Sequence, residues 1–418
     1  MTWPIDANAW IDRFRFANPR IPAADGARQL ATVQAIVQRL GNQPGLILAD
    51  EVGMGKTFVA LGVGLVAALA DKERRPVVVM VPSALAEKWP RDYQVFRELV
   101  VQDTKDPNLN FGVADSALDL HRLLDDADKR LIFLKHGAFH VQRVDAWTRL
   151  ALIQRAVQGI HLGKERRDAL PRWAADLIRN KSRYGDEELY RRLLKAQSIK
   201  WKAIVNDFVG ETSDAALKDD PVPKAVQDVL DSPELDIAAL SEALRELPAR
   251  ASANIDERLR DLRQTINAEL REIWPETLRR ARFKSPLLIL DEAHHLKNPD
   301  TRLASLFVDK EHAEEVGVVD GALEGTFERM LLLTATPFQL GHHELLDVLS
   351  RFRGIDWSGF APGAKEQYLA DMKQLQGQLD GAQRLANDLD RHWKSLRAED
   401  LASLEPEEWW QRVRSGEL

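Results

Sequence analysis

Gly53, Gly55, Lys56 and Thr57 stand in the run ADEVGMGKT (Ala49–Thr57), in a pattern suited to holding phosphate. Glycines let backbone N–H groups close on phosphate oxygens, and a helix starting at the lysine adds the positive end of its dipole. Lys56 would reach the β and γ phosphates, Thr57 would ligate magnesium, and Met54 lies inside the same loop. The strict form of such a loop has glycine where this chain has Asp50. A second element lies far along the chain in LLILDEAHHLKN, where Asp291 and Glu292 follow the apolar run Leu287–Leu290. A carboxylate pair at a strand end can hold magnesium through one member, Asp291, and polarise the attacking water through the other, Glu292. His294 and His295 are adjacent without the spacing of a zinc ligand set, so they read as coupling or packing groups. The GHHE of Gly341–Glu344 lacks i,i+4 histidine spacing and reads as a turn and helix start.

Such groups need strands to carry them. Short apolar runs bounded by turn signals recur at Gly45–Ala49, Pro76–Val81, Arg130–Leu134, Pro286–Leu290 and Met330–Leu333. That is the form of parallel strands buried on both faces. Thr57–Leu69, rich in Ala, Leu and Val, reads as a crossover helix, so strand, glycine loop, helix and strand make a βαβ unit. The phosphate loop and the carboxylate pair then fall at the carboxyl ends of strands, where open α/β sheets bind ligands.

Residues 141–284 read as a helical insertion, with heptad-like spacing in DEELYRRLLKAQSIKWKAIV and ANIDERLRDLRQTINAELREIW. The Asp-, Pro- and Gly-rich GETSDAALKDDPVPK reads as a loop joining its two halves. Residues 1–140 and 285–353 are then two halves of one α/β lobe, and 354–418 a helical extension holding the polar amphipathic QYLADMKQLQGQLDGAQRLANDLDRHWKSL. With 418 residues and 44% hydrophobic side chains there is material for a sizeable core, and fibrous or wholly disordered classes are excluded. The net charge of −7 means that any contact with nucleic acid comes from local basic patches. The absence of cysteine removes disulfides, thiolate nucleophiles and Cys-ligated zinc. The start lacks a signal-peptide pattern and the longest uncharged stretch is too short to span a bilayer, so the expectation is a soluble cytoplasmic protein with no membrane partner.

ADEVGMGKT, the DEAH of Asp291–His294 and LLLTATPFQ (Leu331–Gln339) resemble motifs I, II and III of superfamily 2 helicases, and within them the SWI/SNF-type double-stranded DNA translocases with their bacterial relatives. VVVMVPSALAEKWPRDY resembles motif Ia, with Pro82, Ser83 and Trp89 at matching places, and LIFLKHGAF resembles motif Ib more loosely. The resemblance implies the first of two RecA-like P-loop NTPase lobes, with ATP and Mg as cofactors. It places the adenine-reading glutamine at Gln29, with Gln34 as competitor, and implies that Thr334 and Thr336 couple the nucleotide state to DNA. It makes Ser83, Lys88, Lys135 and His136 the candidate contacts to the duplex backbone.

The family completes its site with arginines from a second RecA-like lobe, and no such motif follows Arg353. The expectation is a fragment of a longer protein, or a chain whose second lobe comes from another subunit, that binds ATP and hydrolyses it weakly alone. The function expected is an ATP-driven double-stranded DNA translocase, with the insertion leaning toward a role in phage defence. The alternative is a nucleotide-switched protein-interaction module with the insertion as docking surface. The insertion's basic groups, among them Arg191, Arg192, Lys195, Arg279 and Arg280, suit DNA contact, a protein partner or a regulatory flap equally.

Overall fold

The computed structural model describes residues 3, 5–6, 8–50, 53–126, 128–139, 146–178, 186–217, 219–251, 254–296, 303, 306–307, 321–334, 342–395 and 405–417. The chain divides into two compact units, Met1–Pro362 and Gly363–Leu418. In chain order the first unit begins α1 (Asn8–Ile11), α2 (Ala23–Leu40), β1 (Gly45–Ala49), α3 (Lys56–Ala70), β2 (Val77–Val81) and α4 (Lys88–Leu99). It continues with β3 (Phe111–Ala114), α5 (Ala117–Leu124) and β4 (Leu131–Lys135), and after the insertion with β5 (Leu288–Leu290) and β6 (Met330–Thr334).

The six strands form one all-parallel sheet in the order β1-β6-β5-β2-β4-β3. The five apolar runs of the sequence are five of them; β3, at the edge opposite β1, is an addition. The strands read as continuous apolar runs because both faces of the sheet are covered. Val77, Val79, Val81, Leu131, Phe133, Ile289, Leu331 and Leu333 join one core with residues of α2, α3 and α4. The alternate residues Val78, Met80, Ile132, Leu134, Leu288, Leu290 and Leu332 are also buried, as the period-2 pleat requires when nothing faces water. Helix α3 carries ten buried residues, Val59 to Ala68, which suits a crossover lying against the sheet and flanked by α2 and α4.

Register decides what reaches the carboxyl edge. Ala49 pairs with Thr334, Leu290 with both Leu332 and Met80, and Val81 with Lys135. The loop after β1, the end of β6, the Asp291 turn after β5 and the segment after β2 therefore emerge side by side.

The insertion enters between β4 and β5 as helices Ala146–Gln158, Lys164–Ile178, Glu187–Lys195, Trp201–Val209, Lys224–Leu230, Ala238–Leu244 and Ile255–Arg280. It has its own core, including the buried side chains of Leu150, Tyr190, Trp201, Leu240 and Trp274. The stretch 210–223 carries no helix among its described residues and ties the insertion to the lobe: Arg122 of α5 donates to the carbonyls of Asp220 (3.3 Å) and Pro221 (2.8 Å). The amide of Lys224 donates to Asp125 at 3.1 Å, and His121 of α5 meets Phe283 edge-on with centroids 5.9 Å apart. The second unit comprises helices Ala364–Ser395 and Pro406–Ser415, with Trp393 against Trp410 at 5.8 Å. Among the described residues no helix is long and apolar enough to cross a membrane.

Candidate active site at the carboxyl edge of the sheet

The loop after β1 has the backbone that a phosphate cradle needs. Gly53 and Gly55 sit at φ +91° and +85°, in the left-handed region that glycine enters without cost. Gly55 is the N-cap of α3, so the helix begins at Lys56 and its first-turn N–H groups point toward the loop. The Lys56 ammonium donates to the Asp50 carbonyl at 2.5 Å, which folds the side chain back across the loop. Arg28 of α2 braces the loop from outside, donating to the Met54 carbonyl at 2.9 Å and standing 3.5 Å from the Asp50 carboxylate. Thr57 occupies the second position of α3.

Gln29 lies on the buried face of α2 with Val33, Val37 and Leu40 and is 6% exposed. Its amide nitrogen is so close to Gly55 that a Cβ on that glycine would stand 2.3 Å from it. Its Oε1 is buried without a hydrogen-bond partner, a polar atom left for a ligand to satisfy. Gln34 is only partly buried and falls outside that face.

Asp291 and Glu292 leave the central strand β5. The Asp291 amide donates to the Met80 carbonyl at 2.9 Å, continuing the β2–β5 ladder by one residue. Its carboxylate accepts from the Trp89 indole N–H at 2.8 Å on Oδ2 and from the Glu292 amide at 3.0 Å on Oδ1. Burial raises the Asp291 pKa above the ordinary carboxylate range, with the neighbouring Glu292 charge adding to it and the Trp89 hydrogen bond opposing. Each oxygen spends one lone pair on the protein and keeps another for a cation. Glu292 holds φ +53°, a conformation that costs a residue with a Cβ about 1–2 kcal/mol. Strain of this kind, held by tight surroundings, is what functional residues show. His294 Nδ1 stands 3.0 Å from Glu292 Oε2, at ion-pair distance but without hydrogen-bonding geometry.

Thr334 ends β6, 2% exposed and paired with Ala49 at the mouth of the phosphate loop; Thr336 lies outside the described residues. Of the four expected DNA contacts, Ser83 and Lys88 are exposed on the segment between β2 and α4. Lys135 is ion-paired with Asp115 at 2.7 Å. His136 turns its ring toward His295, centroids 6.1 Å apart, and burial with that neighbour pulls its pKa down to about 4. His295 in turn lies against His294 at 4.2 Å. Among the described residues no group of three His, Cys, Asp or Glu side chains is arranged to hold a metal.

The residues fit a magnesium nucleotide: open glycine backbone, a lysine over the loop, a buried carboxylate with lone pairs to spare and an unsatisfied glutamine oxygen. Sequence reading missed two contributors. Arg28 gave no motif signal, and the tie from Trp89 to Asp291 spans 202 positions. A parallel sheet with this loop after β1 and an acidic pair after a central strand defines a RecA-like P-loop NTPase lobe. Residues 28–114, from α2 to the end of β3, match the SNF2-related domain family, and this part of the chain is similar to the first lobe of SWI/SNF-type superfamily 2 proteins. The match includes Gln29, the phosphate loop and Trp89 and ends before Asp291. A search of curated proteins gave no match.

Proposed function

We propose that the chain binds ATP with magnesium at this edge, hydrolyses it, and uses the cycle to move on double-stranded DNA as the first lobe of a translocase motor. The observation that carries the reading is the meeting of the phosphate loop, Thr334, Asp291 and Glu292 at adjacent strand ends, from segments up to 285 positions apart.

In this reading Gly53 and Gly55 give backbone N–H groups to the phosphates, and Lys56 exchanges the Asp50 carbonyl for phosphate oxygens. Gln29 meets the adenine edge with its free oxygen and its amide. Thr57 and Asp291 would hold the magnesium ion, whose charge would offset that building up on the phosphate oxygens. Glu292 accepts the proton of the attacking water. Ser83 and Lys88 present an N–H, hydroxyl and ammonium surface to the duplex phosphates, which is backbone contact without base reading. The described residues contain one parallel sheet, and the family's arginines from a second lobe are worth about 10³ to 10⁵ in turnover. Hydrolysis by this chain alone is accordingly slow.

The test is ATP binding and hydrolysis by the intact chain, with and without a short duplex. Lys56→Ala abolishes nucleotide binding, and Glu292→Gln keeps binding while removing turnover. Binding of ATP that survives Lys56→Ala, or turnover equal in Glu292→Gln and the parent, refutes the assignment.

A further inference from the structure

Asp291 is gripped twice by one short stretch of chain. Its amide donates to the carbonyl of Met80 in β2, and its Oδ2 accepts from the indole of Trp89 in the first turn of α4. Between these anchors the chain leaves the sheet, makes one 3₁₀ turn at Ser83–Leu85 and returns, with Ser83, Ala84, Glu87 and Lys88 exposed. The Trp89 ring itself has no freedom. It is 2% exposed and lies against Phe133 at 6.4 Å, within a group in which Tyr93 also meets Phe133 at 5.9 Å. Tyr93 is anchored by its hydroxyl to the Leu109 carbonyl at 2.9 Å. An indole N–H offers one donor and no acceptor. Wedged in this way, it fixes the rotation of the carboxylate it touches.

We propose that Trp89 is a positioning residue, setting the Asp291 carboxylate for magnesium and making it move as one piece with the exposed Ser83–Lys88 segment. The inference rests on the nucleotide-site reading above and deepens it: a phosphate seated on Ser83 or Lys88 bears on a loop whose two ends both hold Asp291. Partners that orient a metal-binding carboxylate typically alter metal affinity about 10–100-fold when removed.

The test uses Trp89→Phe, which keeps an aromatic ring in the packed position and removes the N–H. A fluorescent ATP analogue is titrated into the intact chain without magnesium, and then magnesium is titrated into the complex. The expected result is a magnesium midpoint about tenfold higher than in the parent, with magnesium-free binding and the melting temperature preserved. A purely structural role for Trp89 would move the last two instead. A midpoint within about twofold of the parent overturns the proposal. Adding a short duplex is expected to shift the midpoint in the parent and not in Trp89→Phe; an equal response in both overturns the transmission through Trp89. Should the variant fold poorly, the indole N–H resonance of Trp89 in the parent serves: it shifts when magnesium joins the bound nucleotide, and an unmoved resonance overturns the proposal. If the parent shows no Lys56-dependent nucleotide binding, the nucleotide-site reading fails and takes this inference with it; a normal Lys56 dependence with an unmoved midpoint sinks the inference alone.

Discussion

His121 provides a measurable link between one buried side chain and the acid stability of the lobe. It sits on α5, 2% exposed, edge-on to Phe283, and burial pulls its pKa from 6.5 to about 4. Inside the fold the ring is neutral near pH 5, whereas in the unfolded chain it takes up a proton below about pH 6.5. As pH falls the unfolded state binds the proton first, so stability is lost from about pH 6.5 down to about pH 4 and no further below. The interval corresponds to about 3.4 kcal/mol in all, of which about 1.4 has gone by pH 5.5 and about 2.5 by pH 4.5. The perturbation is His121→Leu, which removes the titration and keeps a buried side chain. Urea unfolding is measured for parent and variant near pH 7 and near pH 4.5. The variant should lose about 2.5 kcal/mol less than the parent between those values, whatever the substitution costs at neutral pH. His136, with its own pKa near 4, leaves a residual acid dependence in both proteins. Equal pH dependence in parent and variant would refute the claim that His121 is held neutral. Because α5 also carries Arg122 and is capped by Asp125, which hold Pro221 and Lys224, the insertion's attachment is expected to loosen in the same pH range.

Gly55→Ala puts a Cβ on a residue at φ +85° and 2.3 Å from the Gln29 amide, so it should cost about 1–2 kcal/mol of stability and weaken ATP binding. Gly53→Ala carries a similar backbone cost with nothing within 4 Å, so thermal melts should match while binding falls less; equal binding losses would remove Gln29 from the adenine site. Arg75 bridges Asp71 and Glu328, each at 2.7 Å, and the Asp71 side chain is 1% exposed. Arg75→Ala should therefore destabilise by about 3 kcal/mol in denaturant titration, since it takes the guanidinium from a buried carboxylate.

The sequence disclosed the parts of this lobe that depend on local pattern. Five strands announce themselves as apolar runs because both sheet faces are covered, and Gly53, Gly55 and Lys56 follow one of them directly. β3 escaped because Phe111–Ala114 is short, interrupted by Gly112 and bound only to β4 at the edge. Val113 there is 46% exposed, so the apolar run that marks the inner strands never forms. Gln29 and Gln34 are alike as letters on one helix; only the 3.6-residue period and the packing of α2 put Gln29 against Gly55. His136 follows a strand end just as Ser83 does, and nothing local tells that its ring turns toward His295. That contact exists because β4 and β5 both flank β2, which strand order decides and a lone sequence does not display.

Several unfavourable local terms of this lobe lie at the carboxyl edge. Glu292 is held at positive φ, Asp291 is a carboxylate short of water, Gln29 keeps an unsatisfied oxygen, and two loop glycines surrender backbone entropy. A chain tolerates such terms only where its surroundings overdetermine the geometry. Here they do: Asp291 and Glu292 follow a three-residue strand paired on both sides, and the phosphate loop is pinned by Arg28 beneath a helix with ten buried residues. The penalties are of a kind that a cation on Asp291 and a hydrogen-bonding ligand on Gln29 would relieve together. Binding energy in this reading is released at these strained points, so ligand occupancy would stiffen the edge proposed to meet the duplex through Ser83 and Lys88.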